Sequence, residues 1–461
     1  MKMNKIYLSS FCKPSGINMA MRLLIFVSVA LSAAQMSAQN VTVNPGAGSY
    51  PTLKDAFDAI NAGTHTGAVT VSVVGNTTET VPAVLNASGA GSASYTSVTI
   101  SPSGGAARTI SGAIAAGSPL IDLNGADNVT INGLNTGGNS LTISNTTIGT
   151  TANSSTIRFV DGATNNTVTN ATVLGSTSSS VATNSATIFF STDAVTANGN
   201  DNNTISNCDI GPAGANLPSK AILGNGSITT NAIGNSGIVI NNNNIFDFFA
   251  PAVTSSGVVT NGGCNTWSIT NNRFYQTAAR TWTTGATHRA IDINNTTSLS
   301  GAVAFTITGN IIGYASNTQT GVYTLTGSTG KFQGIQFNGI SLGTISNINN
   351  NTIASVSLAG VTSSGTSTSS PFIGILITNG LATTSGNTIG SQSATGSLTF
   401  STNSTTATDV IGIYNFSLDN WVSSNNNIGG ISVTNAAASG TFIIFALRAN
   451  TSTTLSWDAL R

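Results

Sequence analysis

Two short apolar patterns alternate along the chain. The first sets an apolar residue, four mostly polar residues rich in Asn, and a second apolar residue: Ile143-SNTT-Ile148, Val168-TNAT-Val173, Ile205-SNCD-Ile210, Ile240-NNNN-Ile245, Ile269-TNNR-Phe274, Ile307-TGNI-Ile312 and Ile348-NNNT-Ile353. Looser copies end at Ile389 and Ile428. The second is a short strand with apolar residues flanking one other, at Ile157-Arg-Phe159, Ile188-Phe-Phe190, Ile291-Asp-Ile293, Ile335-Gln-Phe337, Ile375-Leu-Ile377 and Ile443-Ile-Phe445, with weaker copies from Ile222, Val258 and Ile413. Segments this short and this rich in Val, Ile, Phe and Thr predict strands, and the stretches between them have no helical period. Strands that recur once per turn stack on their own counterparts. The pattern therefore predicts an all-β fold, a right-handed single-stranded parallel β-helix with turns of 25 to 41 residues.

Asn enters the left-handed backbone region more readily than any residue but Gly, so it suits the bend inside each first motif. The column around Asn207, Asn242 and Asn271 is expected to form a ladder of side-chain amides. The amino-terminal mouth of such a coil needs a cover. Thr52, with Asp55 three residues on, can cap a helix whose face Leu53, Ala56, Phe57 and Ile60 is apolar. At the other end, either Trp457 and Leu460 plug the last turn or the chain is a piece of a longer protein.

Composition narrows the function. Only 6% of the 461 residues are charged, and Glu79 is the sole glutamate. This excludes a helical bundle, and no Lys/Arg cluster stands ready to neutralise phosphates, so no nucleic-acid partner is expected. Arg22, the apolar run Leu23–Leu31 and the small-residue stretch SAAQMSAQ follow the order of a secretory signal, cleaved after Ala34 or Ala38, with Met19 or Met21 as alternative starts. The expected division is a signal at 1–38, a strand and capping helix at 39–66, and about 10–12 β-helical turns over 67–461. No later segment is long and apolar enough to cross a bilayer. The exported chain would carry 10 basic against 14 acidic residues. Cys208 and Cys264 could pair in an oxidising compartment, but they fall at different points of the repeat, which favours two small buried side chains over a disulfide. No cofactor and no metal site are expected, because neither Cys has a second Cys or His at ligand spacing.

The segment SYPTLKDAFDAIN, followed by VTVSVVGNTTET, ARTISG and DNVTINGLN, resembles the amino-terminal region of large secreted β-helix proteins of the Bacteroidetes type, grouped as pectin-lyase-like or β-strand-repeat proteins. The resemblance implies export and display at the cell surface. Its members commonly end in a type IX secretion sorting domain; none stands here, which favours the reading of a fragment. The wider fold group includes pectate lyases and polygalacturonases, so a carbohydrate-active enzyme is the alternative function.

Hydrolysis or β-elimination would need carboxylates clustered in adjacent turns. The outward position of the second motif reads Arg158, Phe189, Leu223, Val259, Asp292, Gln336, Leu376, Tyr414, Ile444, and the residue before the end of the first motif also lacks adjacent acids. Asp193, Asp201 and Asp247 could meet only through loops. No catalytic residue is assigned. The densest constellation is Arg273, Tyr275, Arg280, Trp282, His288 and Arg289, whose aromatic and guanidinium groups suit sugar rings carrying acidic substituents. The competing reading, favoured by the pattern, makes Trp267 and Phe274 core and the rest decoration of one loop. His65 is assigned to a surface loop and Glu79 to a turn. The apolar outward stripe is either roofed by loops or open to a partner. Unequal turn lengths argue against the evenly spaced threonine lattice that ice binding needs. The expected function is a secreted or cell-surface structural and adhesive module, with an extracellular polysaccharide or cell-surface partner.

Overall fold

The computed structural model describes residues 39–46, 48–180, 182–192, 198–229, 231–295, 304–327, 329–340, 344–360, 364–419, 421–437, 439–450 and 456–457. The signal segment, Asp193 and Leu460 lie outside them. Each turn of the chain visits three sheets in the same order. Sheet A has 13 strands, from Gln39–Val43 to Ser456–Trp457; sheet B has 11, from Thr77–Glu79 to Asn427–Gly429; sheet C has 11, from Ala83–Asn86 to Phe442–Ala449. Every pairing in them is parallel, and each strand pairs with its counterpart one turn away. The chain is a right-handed parallel β-helix. From Arg280–Thr281 onward a fourth sheet of five strands joins the path between sheets B and C.

The core follows from the alternation. Ile157, Ile188, Ile222, Val258, Ile291, Ile335, Ile375 and Ile413 stack in one column of sheet C, all fully buried. The column ends on Leu447, not on the expected Ile443, because Ile413 pairs with Leu447 and Asp409 with Ile443. Ile443 and Ile444 are 45% and 49% exposed in this last turn, and the pairing puts the last copy out of phase by four residues. The first Asn motif is also out of phase. Ile143 stands in sheet B on Ile110 and Val173, while Ile148 is exposed. In that turn the bend from Ile131 to Ile143 carries an inserted loop closed by a Thr136–Asn139 bridge.

The A-to-B bend keeps one geometry through most turns. Asn170, Asn207, Asn242, Asn271, Asn350 and Asn425 all have φ between 53° and 58°. Gly309 and Gly386 take the same place, and a Cβ there would stand 2.5 and 2.3 Å from the amide oxygens of Asn271 and Asn350. The buried amide ladder lies one residue further on than expected. Asn243, Asn272, Asn310, Asn351, Asn387 and Asn426 each donate through Nδ2 to a backbone carbonyl of the preceding turn. Successive members are also joined by Nδ2-to-Oδ1 bonds of 2.9–3.1 Å. The ladder starts where the Cys208 amide donates to Asn243 Oδ1. Of the column first expected, Asn242 does donate to Asn207 at 2.7 Å, but on the exposed corner.

The helix Leu53–Asn61 covers the amino-terminal mouth. The Thr52 hydroxyl accepts from the Asp55 amide, and Leu53, Ala56, Phe57 and Ile60 are fully buried in the main core. Glu79, expected on a turn, is instead buried beneath this helix. Its Oε1 accepts from the Leu53 amide at 2.9 Å and its Oε2 from the Lys54 amide at 3.1 Å. A carboxylate at a helix amino terminus satisfies orphan amides and the positive end of the dipole together. Cys208 and Cys264 are free and buried, with both thiols pushed up to about 12 by burial. The outward stripe of sheet C is roofed: Phe189, Leu223, Val259, Leu376 and Tyr414 are at most 2% exposed. Among the described residues no helix is long and apolar enough to cross a membrane.

Candidate functional site

The candidate site grows from the connections between sheets B and C. The strands Asn244–Phe246 and Arg273–Tyr275 stack, bringing the rings of Phe246 and Tyr275 to 5.4 Å at 13°. Each strand then turns outward. Asp247, at φ 54°, aims its carboxylate at the next turn. There Oδ1 accepts from the Thr277 amide at 2.8 Å and from Arg280 at 2.5 Å, and Oδ2 accepts from the Thr277 hydroxyl at 2.6 Å. Arg280 Nε donates to Gln276 Oε1 at 2.8 Å. Its guanidinium is thus fixed on two sides by Asp247 and Gln276.

From Gln276 the polar chain runs inward. Gln276 Nε2 donates to the Phe248 carbonyl and lies 3.4 Å from the Tyr323 hydroxyl. That hydroxyl bonds His288 Nε2, and His288 Nδ1 bonds Ser255 Oγ at 2.6 Å. Gln276, Tyr323, His288 and Ser255 are all fully buried. Burial, and then the charge of Arg280, push His288 down to about 3, so its ring is neutral and stacks on Phe248 at 5.0 Å. Burial and the carboxylates of Asp209 and Asp247 push Tyr275 up to about 12.

Arg280 opens onto a groove of about 400 Å³ lined by Ser178, Ala215, Asn216, Leu217, Phe249, Pro251, Ala279 and Thr281. The neighbouring connections line a second groove of about 490 Å³, with Ser180, Val253, Thr254 and Thr284. Among the described residues Arg280 is the only charged one lining either groove. Behind Ser178–Ser180 lies Lys220, fully buried, its Nζ donating to Ser179 Oγ at 2.8 Å and to the Ser180 carbonyl at 2.6 Å. Burial brings its amine down to about 7.

The six residues singled out from the sequence do not form one site. Arg280 lines the groove, and Tyr275 stands behind it near Asp247. Arg273 lies on the outer face of sheet B, where its buried Nε has no hydrogen-bond partner. Trp282 is core, packed against Phe249, and Gly330 leaves room for its ring: a Cβ there would meet it at 1.8 Å. His288 is also core. Arg289 is on the outer face of sheet C, bonded to Gln333 at 2.7 Å and Asp292 at 3.0 Å. Trp267 and Phe274 are fully buried, as the competing reading held, yet the others are spread over two faces and the core rather than one loop. Half-buried His65 bonds Tyr50 and Gln39. Gln276, Tyr323, Phe249 and Lys220 were not singled out. Lys220 alone carried a signal, a lysine two residues before a core Ile where the stacked neighbours are Ala186 and Ser256.

The sequence matches no protein-family model and no curated protein. Solved structures are similar in architecture. The surface adhesin PfbA of Streptococcus pneumoniae is 15% identical, with 90% of this chain and 91% of that one covered and a TM-score of 0.42. The A-module of mannuronan C-5 epimerase AlgE4 from Azotobacter vinelandii is 11% identical, with 89% and 94% covered and a TM-score of 0.36. The catalytic domain of a GH87 alpha-1,3-glucanase is 14% identical, with 89% and 68% covered and a TM-score of 0.33.

The carboxylates decide what chemistry is open. Asp201 accepts from the amide and hydroxyl of Ser236 ahead of sheet A, whereas Asp247 follows sheet B with Arg280. Asp122 holds Arg158 through two bonds of 2.9 and 2.7 Å. Asp409 pairs with Arg448, and Asp419 accepts from Gly380 and Ser417. Among the described residues no three His, Cys, Asp or Glu side chains are grouped to hold a metal.

Proposed function

We propose that the chain is a secreted or cell-surface module, structural and adhesive, that binds a glycan in the groove at Arg280. Residues 1–38 would be removed as the export signal, 39–66 would cover the mouth of the coil, and 67–461 would form its wall. The observation that carries this reading is the braced Arg280 guanidinium on an otherwise uncharged groove. Asn216, Ser178 and Thr281 offer hydrogen bonds, while Phe249, Leu217 and Pro251 offer apolar contact for a sugar face. Because Asp247 neutralises the guanidinium, the groove favours an uncharged sugar over a polyanion.

The alternative, a glycoside hydrolase or polysaccharide lyase, needs two carboxylates about one bond or a metal with a base. Of the acids expected to meet through loops, Asp201 and Asp247 stand at different corners of the coil, and Asp193 lies outside the described residues. One experiment separates the two readings. The purified chain is titrated with neutral and acidic oligosaccharides while products are assayed. Binding without turnover, weakened at least about tenfold (about 1.4 kcal/mol) by Arg280→Gln, supports the module. Product release that Asp247→Asn abolishes would establish the enzyme.

A further inference from the structure

The outer face of sheet A, on the opposite side of its strands from the core, is built unlike the other faces. One outward column runs Asn40, Thr70, Thr99, Thr130, Thr167, Thr204, with five threonines in consecutive turns, and continues through Val239 and Ser268 to Thr306. A second column two residues along carries Thr169, Ser206, Asn241, Thr270 and Thr308 in successive turns. From Gln39–Val43 to Trp421–Ser424 these two columns hold only Thr, Ser, Asn and two valines. No charged and no aromatic side chain interrupts them, although sheet B presents Asp209 and Arg273 outward and sheet C presents Arg158 and Asp292.

This face is also open. Its threonines are half-exposed, whereas Phe189, Leu223, Val259, Leu376 and Tyr414 on the outward stripe of sheet C are at most 2% exposed. Unequal turn length does not disturb it. The A-to-B bend is five residues in most turns, and much of the variation falls in the connections between B and C, from 6 residues (Thr77 to Ala83) to 24 (Ile389 to Ile413). Pairing from Val129–Asn132 to Trp421–Ser424 proceeds without a register shift. The ground on which the sequence argued against an evenly spaced lattice is therefore removed. Neighbouring turns repeat at about 4.8 Å and the two columns stand about 6.6 Å apart, giving a net about 53 Å long over 11 steps.

We propose that this face binds ice, holding ordered water in register through its hydroxyl and amide columns. Three features select that occupant. β-Branched threonines in a stacked strand have little rotamer freedom to lose, so the oxygens are already in place. Lateral bonds fix them further: Ser206 Oγ donates to Thr169 Oγ1 at 3.0 Å, and Thr270 Oγ1 to Asn241 Oδ1 at 2.9 Å. An uncharged face matches an uncharged lattice, and the lack of aromatic rings removes the platform on which a sugar face would stack. The inference is independent of the Arg280 groove, which lies between sheets B and C.

The test grows a single ice surface slowly from a dilute solution of the whole labelled chain and measures the protein taken into the ice, with retention on crystalline cellulose and chitin measured in parallel. The native chain is expected to enter the ice. Thr130→Lys/Thr204→Lys should lower uptake at least tenfold, and Thr388→Lys, on sheet B, should leave it unchanged. Thr130→Tyr/Thr204→Tyr keeps strand propensity and should lower uptake as well, which covers the case that the lysine variant fails to fold. Exclusion of the native chain from ice overturns the proposal, as does undiminished uptake by the folded tyrosine variant. Retention on cellulose or chitin that the tyrosine variant loses, with no entry into ice, would assign the face to a polysaccharide instead.

Discussion

Asn272 donates through Nδ2 to Oδ1 of Asn310, 3.0 Å away in the next turn and 38 residues along the chain. The same Nδ2 also donates to the Ile240 carbonyl of the preceding turn. One buried amide therefore ties three turns together at the bend where the strands of sheets A and B separate. A backbone that changes direction inside the wall leaves amides and carbonyls without ladder partners, and the side-chain column supplies them.

Asn272→Ala should destabilise the chain by about 3 kcal/mol, because it strands the Ile240 carbonyl and the Asn243 amide groups in the core. Asn271→Gly, at the neighbouring left-handed position, should cost less than about 1 kcal/mol, whereas Asn271→Val should cost more. Denaturant unfolding of the three variants checks the assignment of ladder and bend to adjacent residues.

Glu79 is the anchor of the capping helix. Glu79→Ala should remove two charge-assisted bonds to Leu53 and Lys54, while Glu79→Gln keeps an acceptor and should be milder. The expected result is faster amide exchange over Leu53–Asn61, with the central turns unchanged. Uniform loss of protection along the coil would mean that the helix is not a separable cover.

Lys220 makes stability depend on pH. Its folded pKa, about 7, is below the ordinary value of 10.5, so the unfolded chain binds more protons between them. Stability is then lowest below pH 7 and rises by up to about 1.4 kcal/mol per pH unit above it. The difference between the native chain and Lys220→Met, measured by unfolding from pH 7 to 9, should shrink with that slope. His288 has the same sign at lower pH: with a folded pKa near 3 against 6.5, it withdraws stability as pH falls below 6.5.

The repeating parts of the molecule were legible because they obey short-range rules. A two-residue strand alternation located the Ile157-to-Ile413 column, and Thr52 with its apolar face located the capping helix. Phase was lost where a turn gained residues, at Ile131 to Ile143, or where extra apolar residues mimicked the motif, at Ile443. The amide ladder was displaced by one because Asn242-Asn243 and Asn271-Asn272 offer two candidates, and only backbone angles distinguish bend from ladder. The groove was not legible. Asp247, Gln276, Arg280 and Tyr323 come from three turns and meet through loops of unequal length, so no spacing relates them. Arg289 and Arg280 are near in sequence yet leave the coil on different faces.

The in-register stacking of turns is what the core, the ladder and the sheet A face all depend on. Disulfide formation between paired cysteines measures it most directly. Thr167 and Thr204 are strand partners across one step, about 4.8 Å apart, whereas Thr167 and Val239 are two steps apart. Thr167→Cys/Thr204→Cys should therefore cross-link readily under mild oxidation, and Thr167→Cys/Val239→Cys should not. The reverse outcome, or equal cross-linking of both pairs, would contradict the stacked register.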